Sequence, residues 1–493
     1  MWGSRRRPKG VRTAPKGSAV LGLDVGSSGA KLVAFAEDWT VLFEGARRYP
    51  ILRGDARRAE LDVGALVGAI GELVAQCARK IDHRIDALCT AAIGEAIVPV
   101  DRAGVPLANA LLTADARLEG SAALWCPDEA ALHRLTGLPR RDVWSGNAMR
   151  HHLAASYGAR VAGFRAVDDL VVAALGVLPR MALSQASRTM LLDRRTGGWN
   201  DRQMAAAGIA ETLLTGPALP GETLGRTTGS RWGLAEGTFV VCGGHDQHLA
   251  AIGAGAGPDR PLWASGTVDA VTFVREPAGD TPMPGVDYRV APRTAVRPVP
   301  NLNGGQALAW TMSLLGTDDH GLIETAPLPD DPIVLPTLGT TGAPDFDVEA
   351  TATIAGLSYR HDRAAIARAT VEGIVLETMT ALIGVDAPIA DARAVSVAGG
   401  GARSGQWCAL KAAAFDRPVE RRRHVDCGAV GAALLARRAL DAQRGDCERA
   451  NPLVEVVPPD PSLRDHLLAR GERYAALRGH PPFPAASAAR RAA

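Results

Sequence analysis

The sequence predicts an α/β protein built from two domains of like topology. Three observations carry that expectation. At 493 residues the chain is too long for one ordinary core and long enough for two domains of about 200 residues each. Near its start, short apolar strands joined by tight turns give way to a helix and then to a buried strand. The strand, glycine turn, strand pattern of "LGLDVGSSGAKLVAF" (21–35) then returns in "PLWASGTVDAVTFV" (261–274), and laying Gly266-Thr267 over Gly26-Ser27 gives an offset of 240 residues.

Taken in order, "AVLGLDV", "AKLVAFAE" and "TVLFEGARRYP" within 19–50 read as three strands of an antiparallel meander. In "LDVGALVGAIGELVAQCARKI", Leu66, Ile70, Leu73 or Val74, and Cys77 fall at helical spacing behind Asp62 as N-cap. "IDALCTAAIG" has the composition of a buried strand. Further on, "VVCGGHDQHLAAIGAGAG" (240–257) runs from an apolar strand into a small-residue helix, and "GAGAGPDRP" breaks the pattern at a domain junction near 250–260. "AVSVAGGGARSGQWCALKAAAFDRPVE" (394–420) reads as a strand, a triple-glycine turn and a helix keeping Trp407, Leu410 and Ala414 on one face; "DCGAVGAALLA" (426–436) starts another helix.

Composition excludes several function classes. Apolar residues make up 47 % and charged residues 22 %, as in soluble globular proteins, and no run approaches the roughly 18 apolar residues of a membrane helix. A net charge of +2 gives no reason to expect a nucleic-acid partner. Cys77, Cys89, Cys126, Cys242, Cys408, Cys427 and Cys447 are scattered, odd in number and never spaced C-x-x-C, which argues for a reducing cytoplasm and against structural zinc. Residues 1–18 are basic without an apolar core and read as a disordered tail, as does the stretch "PPFPAASAARRAA" at the other end.

Two kinds of loop point to chemistry. A glycine turn after a strand offers backbone N–H groups to an anion; around it Gly26, Ser27, Ser28 and Lys31 form a phosphate-binding set. Asp24 would repel phosphate unless a divalent cation lies between them, so it reads as an Mg²⁺ partner; the other reading is a plain hairpin whose aspartate caps the turn. The G-x-x-x-x-G-K-[ST] phosphate loop is absent. Asp246, after a strand and beside glycines, reads as a general base, with a helix N-cap as the alternative. His245 and His248 lack a third metal ligand at useful spacing and read as loop and helix-surface residues. The bare backbone at Gly399, Gly400 and Gly401, with Ser404 near the helix start, can lie against a nucleobase or phosphate.

Five stretches, in order, resemble the FGGY family of carbohydrate kinases, within the group that shares the actin and Hsp70 ATPase fold. "DVGSSGAK" is similar to its first phosphate loop, "GGHDQHLAAIGAG" to its catalytic stretch, "ASGTVDAV" to its second phosphate loop, "GLSYRHDRAAIARATVEGI" (356–374) to its long helix and "GGGARSGQW" to its adenosine loop. The resemblance covers roughly 19–440. It implies two actin-like, ribonuclease H-like α/β domains facing a central cleft, at 19–255 and 256–445, followed by a C-terminal helix and tail at 446–493. It further implies ATP and Mg²⁺, Asp246 as base with Asp24 and Asp246 at the metal, and Gly266 and Thr267 joining Gly26 and Ser27 on the phosphates.

For the acceptor, the resemblance puts Glu95 where glycerol kinases hold polyol hydroxyls, while the arginine that precedes that carboxylate there is Gly94 here. Carboxylates accept hydroxyl hydrogen bonds well, so Glu95 suits a neutral polyhydroxy substrate better than a sugar acid. "LLTADARLEG" (111–120) resembles the family's W-x-D-x-R stretch with Thr113 in the aromatic's place, offering Asp115 and Arg117 either to the substrate or to each other as an ion pair. Gln247 is a further polar wall. "TLGTTGAPDFD" stands where Gly-Glu-Arg is usual, and Arg150 where a lysine is common. The expectation is a cytoplasmic ATP-dependent kinase of a sugar or polyol, with a homodimer left open; the alternatives are a kinase for an unusual polyol such as a cyclitol, or an actin-fold ATPase or binding protein without kinase activity.

Overall fold

Strand β1 (Ser18–Val25) is apolar at nearly every position because it lies at the middle of a sheet covered on both faces. The computed structural model describes residues 16–54, 57–277, 285–441 and 446–479. Most of the expected N-terminal tail and all of the stretch 481–493 lie outside them. β1 pairs antiparallel with β2 (Gly29–Ala36), which pairs with β3 (Val41–Arg48), forming the meander. On its other side β1 runs parallel to β4 (Arg84–Ala92), and β5 (Thr223–Arg226) and β6 (Phe239–His245) complete a sheet ordered β5-β6-β4-β1-β2-β3. The helix Val63–Lys80, capped by Asp62 as its sequence predicts, buries Leu66, Ile70, Leu73, Val74 and Cys77 on one face of this sheet.

The second sheet repeats the plan. β7 (Leu262–Ser265) pairs antiparallel with β8 (Asp269–Arg275), beyond which lie β9 (Tyr288–Ala291) and β10 (Thr294–Asn301) in the order β9-β10-β8-β7. On its other side β7 runs parallel to β11 (Val395–Ala398), followed by β12 (Val419–Arg422) and the edge strand β13 (Leu453–Val457). An antiparallel hairpin on one flank and parallel strands on the other is the arrangement around β1, so the repeat at 240 residues reflects a repeated fold. Helices Arg363–Gly384 and Gly405–Phe415 pack on this sheet. The C-terminal helix Pro461–Arg478 is tied to the first of them by Arg470 and His466 on Glu372 and by the Tyr474 hydroxyl on Glu377 at 2.5 Å.

One helix crosses the sequence boundary at 255. Cys427–Leu440 follows β12 but packs on the first sheet, with Ala429, Val430, Ala433 and Leu434 against Val20, Cys89 and Leu249. Glycines make this possible. A Cβ at Gly22 would lie 1.9 Å from the Ala429 carbonyl oxygen, and one at Gly431 would lie 1.9 Å from that of Leu249. A third apolar cluster joins Trp125, Trp144 and Leu183 of the first domain to Val286 and Tyr288 of the second. No helix among the described residues is long and apolar enough to cross a membrane.

Candidate active site

The two central hairpins and the end of β6 converge on the groups the sequence singles out. Asp24, the penultimate residue of β1, stands opposite Lys31 on β2. Between them Gly26 donates its N–H to Gly29 O at 3.0 Å and accepts the Tyr49 hydroxyl at 2.5 Å, leaving Ser27 half-buried and Ser28 exposed in the turn. Lys31 is bridged to Asp426, whose other carboxylate oxygen lies 3.6 Å from Arg403. Burial pushes the Asp24 carboxyl up to about 6 against the pull of Lys31, with Asp426 adding to the rise. The first turn of Cys427–Leu440 abuts it: a Cβ at Gly428 would sit 2.6 Å from Asp24 Oδ2. A helix N-terminus there carries partial positive charge.

Asp246 is delivered by a fault in the parallel pairing of β6 with β4. The register slips between Val241 and Gly244, Gly243 lies so close to Thr90 that a Cβ would be 1.9 Å from its carbonyl oxygen, and Gly244 adopts φ +133°. Helix Asp246–Gly253 then begins, with the Gln247 N–H donating to Asp246 Oδ1 at 2.6 Å. Burial, then the negative charge of Asp24, pushes Asp246 up to about 7; Glu95 adds to this and Arg188 opposes it. Both carboxyls are thus raised chiefly by burial, and Asp246 also by the charge of Asp24.

Glu95 is buried in the left-handed region at φ +63°. Arg188, which the motifs do not single out, places both Nε and Nη2 on Glu95 Oε1. Its guanidinium lies 4.9 Å from the Trp144 ring and 5.0 Å from that of Tyr288. The Tyr288 hydroxyl is 3.2 Å from His245 Nδ1, and His245 Nε2 is 3.5 Å from Asp246 Oδ1. A continuous polar chain therefore runs from Glu95 through Arg188, Tyr288 and His245 to Asp246. Along it Arg188 Nη1, a donor, and Gln247 Oε1, an acceptor, have no partner among the described residues. A side chain at position 94 would meet His245 Nε2 at 2.6 Å and Arg188 Nε at 3.0 Å, so the guanidinium arrives from another element.

The remaining expectations divide. Gly266 and Thr267 are exposed in the turn between β7 and β8, and their carbonyls accept the amides of Gly305 and Gln306. Gly400 is exposed with open space around it, whereas Gly401 is buried against Ser265. Ser404 caps its own helix, its hydroxyl accepting the Trp407 N–H at 3.0 Å, which leaves its O–H free to donate.

Asp115 and Arg117 take the ion-pair alternative. Asp115 accepts the Ala59 N–H at 2.9 Å and the Arg117 Nε at 2.8 Å, and Arg117 continues to Glu60 at 2.6 Å. The three form a closed set without a free carboxylate oxygen on Asp115. His245 and His248 are buried rather than loop and surface residues, and burial holds both imidazoles neutral, His248 down at about 4. Helix Asp246–Gly253 packs at Leu249 and Gly253 against Cys427–Leu440. Among the described residues no group of three or more His, Cys, Asp or Glu side chains is gathered to hold a metal ion.

Known proteins resemble this chain along most of its length. The model of the N-terminal domain of the FGGY family of carbohydrate kinases matches residues 19–253, and that of its C-terminal domain matches 303–440. Among curated relatives, the xylulose kinase of Escherichia coli (strain K12) is 26 % identical over 92 % of this chain and 96 % of its own. The glycerol kinase of Bordetella parapertussis is 28 % identical over 85 % and 88 %. Among solved structures, the gluconate kinase from Lactobacillus acidophilus superposes with a TM-score of 0.84 at 21 % identity, covering 94 % of this chain and 98 % of that one. Plasmodium falciparum glycerol kinase with ADP superposes with a TM-score of 0.80 at 16 % identity, covering 95 % and 99 %.

Proposed function

This chain belongs to the FGGY family of carbohydrate kinases, which makes it an ATP-dependent sugar kinase, and from that premise we propose that Asp246 is the general base for phosphorylation of an uncharged polyhydroxylated acceptor. The reacting hydroxyl gives its proton to Asp246 as its oxygen bonds to the γ-phosphorus of ATP. The bond from that phosphorus to the bridging oxygen breaks, and ADP leaves. The observation that carries this reading is the place of Asp246 between Asp24 and the Glu95–Arg188 pair, with its carboxyl pushed up to about 7. A base of that strength exchanges protons readily near neutrality.

Gly26, Ser27, Ser28 and Lys31 on one side and Gly266 and Thr267 on the other are proposed to hold the phosphates, with Gly400 and Gly401 against the rest of the nucleotide. Asp24 and Asp246 fit a divalent cation, since each carries a carboxylate destabilised by burial and neighbouring negative charge. They would hold Mg²⁺, which when bound neutralises phosphate charge. For the acceptor, Glu95 and Arg188 cancel one another's charge, which supports a neutral ligand over a sugar acid. A hydroxyl both donates and accepts, so it suits the unpartnered Arg188 Nη1 and Gln247 Oε1 together.

The test is ADP release from ATP and Mg²⁺ across ketoses, aldoses, alditols, sugar acids and cyclitols, with Asp246→Asn alongside. Turnover that needs a neutral polyhydroxy compound and is lost in the variant is expected. A sugar acid as best substrate overturns the acceptor reading; turnover indifferent to every compound and to the substitution overturns the role of Asp246.

A further inference from the structure

A lysine with no exposed surface lies beneath the second glycine hairpin. Lys411, on helix Gly405–Phe415, is fully buried and donates from Nζ to Ser265 Oγ at 2.5 Å. The ammonium lies 5.2 Å from the ring centre of Trp263 and 5.5 Å from that of Trp407. Ser265 in turn donates to Asp269 Oδ1. Asp269 is also fully buried; its Oδ2 accepts Trp263 Nε1 at 2.5 Å and the Thr378 hydroxyl at 2.8 Å. Ser265 ends β7 and Asp269 starts β8, so their bond closes the stem of the turn that exposes Gly266 and Thr267.

The same serine is the seat of the other glycine loop. A Cβ at Gly401 would lie 2.6 Å from Ser265 Cβ, and one at Gly399, where φ is +80°, would lie 2.4 Å from Ser265 O. Loop 399–401 therefore rests directly on the residue that Lys411 grips. A buried ammonium and a buried carboxylate are costly to desolvate, and a core needing only stability is served as well by apolar side chains. What the charged chain adds is a fixed geometry: each group has one set of partners, and together they set the separation of the two loops.

We propose that Lys411 is a positioning residue for the nucleotide, acting through Ser265 and Asp269 to hold loops 266–268 and 399–401 in one relative placement. Lys411 itself touches no ligand in this scheme. The inference rests on the nucleotide reading above but not on the identity of the acceptor.

The experiment measures ADP binding by calorimetry, without acceptor, to the full chain, to Lys411→Met and to the double variant Lys411→Met with Asp269→Asn. Methionine keeps most of the volume, and the double change avoids stranding a lone buried carboxylate. Thermal unfolding is recorded for each. The expected result is ADP affinity lowered at least tenfold in both variants, the KM for ATP raised by a similar factor and that for the acceptor within twofold. The loss of affinity is to persist in the double variant even where its unfolding temperature matches that of the unaltered chain. A stable double variant with unaltered ADP affinity overturns the proposal, because the pair then serves stability alone. Failure of the unaltered chain to bind ADP overturns the nucleotide reading itself and is told apart by arising without any substitution.

Discussion

Replacing Asp246 by asparagine should slow catalysis sharply and stabilise the protein. Burial, reinforced by Asp24, raises its carboxyl from 3.8 to about 7 in the folded chain. The folded state then holds the proton more tightly than the unfolded one. The folded chain is penalised progressively as pH rises from about 4 to about 7 and carries the full penalty above that. At 1.36 kcal/mol per pH unit the interval amounts to about 4 kcal/mol. The side chain keeps 30 % of its surface exposed, and solvent screening reduces the expectation to about 2 kcal/mol. Asparagine keeps the shape without the charge. Unfolding followed by calorimetry, without nucleotide, should show Asp246→Asn melting some 4–8 °C higher at pH 8, if the first domain unfolds as a unit. The gain should shrink at pH 6 and vanish near pH 4. Turnover should fall by about 10²- to 10⁴-fold. A variant less stable at pH 8, or a gain unchanged by pH, would refute the reasoning, since either means that Asp246 is not a strained buried charge.

Glu95→Gln should raise the acceptor KM by about 10- to 100-fold while leaving the KM for ATP within twofold, because it disturbs the pair with Arg188 and not the phosphate loops; initial-rate kinetics with each substrate varied separates the two. Gly428→Ala should cost at least tenfold in turnover, its methyl falling 2.6 Å from Asp24 Oδ2, and an unaltered rate would show that Asp24 can move aside freely. Asp115→Asn should lower stability by about 1–3 kcal/mol, measured by denaturant unfolding, with the acceptor KM unchanged. A tenfold rise in that KM would return Asp115 to the substrate.

What could be read from the sequence was what the chain keeps local. The hairpins at 26–28 and 266–268, the strand-to-helix turn at Asp246 and the triple glycine at 399–401 are each made within one short segment, so spacing and glycine content announce them. Partners supplied from afar gave no such signal. Arg188 lies 93 residues from Glu95, Tyr288 lies 43 from His245 across a domain boundary, and Lys411 lies 146 from Ser265. Only the order of strands brings them together. One local reading failed for the same reason in miniature: His245 and His248 look like loop and surface residues, and both are buried.

The helix that crosses back to the first sheet explains how a carboxylate on β1 and one at the start of helix Asp246–Gly253 stay in register. Cys427–Leu440 meets β1 at Gly22 and helix Asp246–Gly253 at Gly431 and Gly253, with carbonyl oxygens within 2.0 Å of where a Cβ would be. Such contacts leave no slack, so Asp24 and Asp246 are carried by one rigid unit. Its N-terminal flank, however, leads back within four residues to β12 of the second sheet, and there Asp426 reaches both Lys31 and Arg403. Any rotation of one sheet against the other must be absorbed at 254–261, at 423–426 and in the return from Cys427–Leu440 to β13, not inside the carboxylate pair. On the acceptor side the domains are joined, with the Asp287 N–H on Gly137 O at 2.8 Å and the Ser187 hydroxyl on Arg289 O at 2.6 Å. Asp24, Asp246 and the Glu95–Arg188 pair are thus held by contacts from both domains. If loops 266–268 and 399–401 hold the nucleotide as proposed, their placement relative to these carboxylates is set through the same sheet that carries Tyr288.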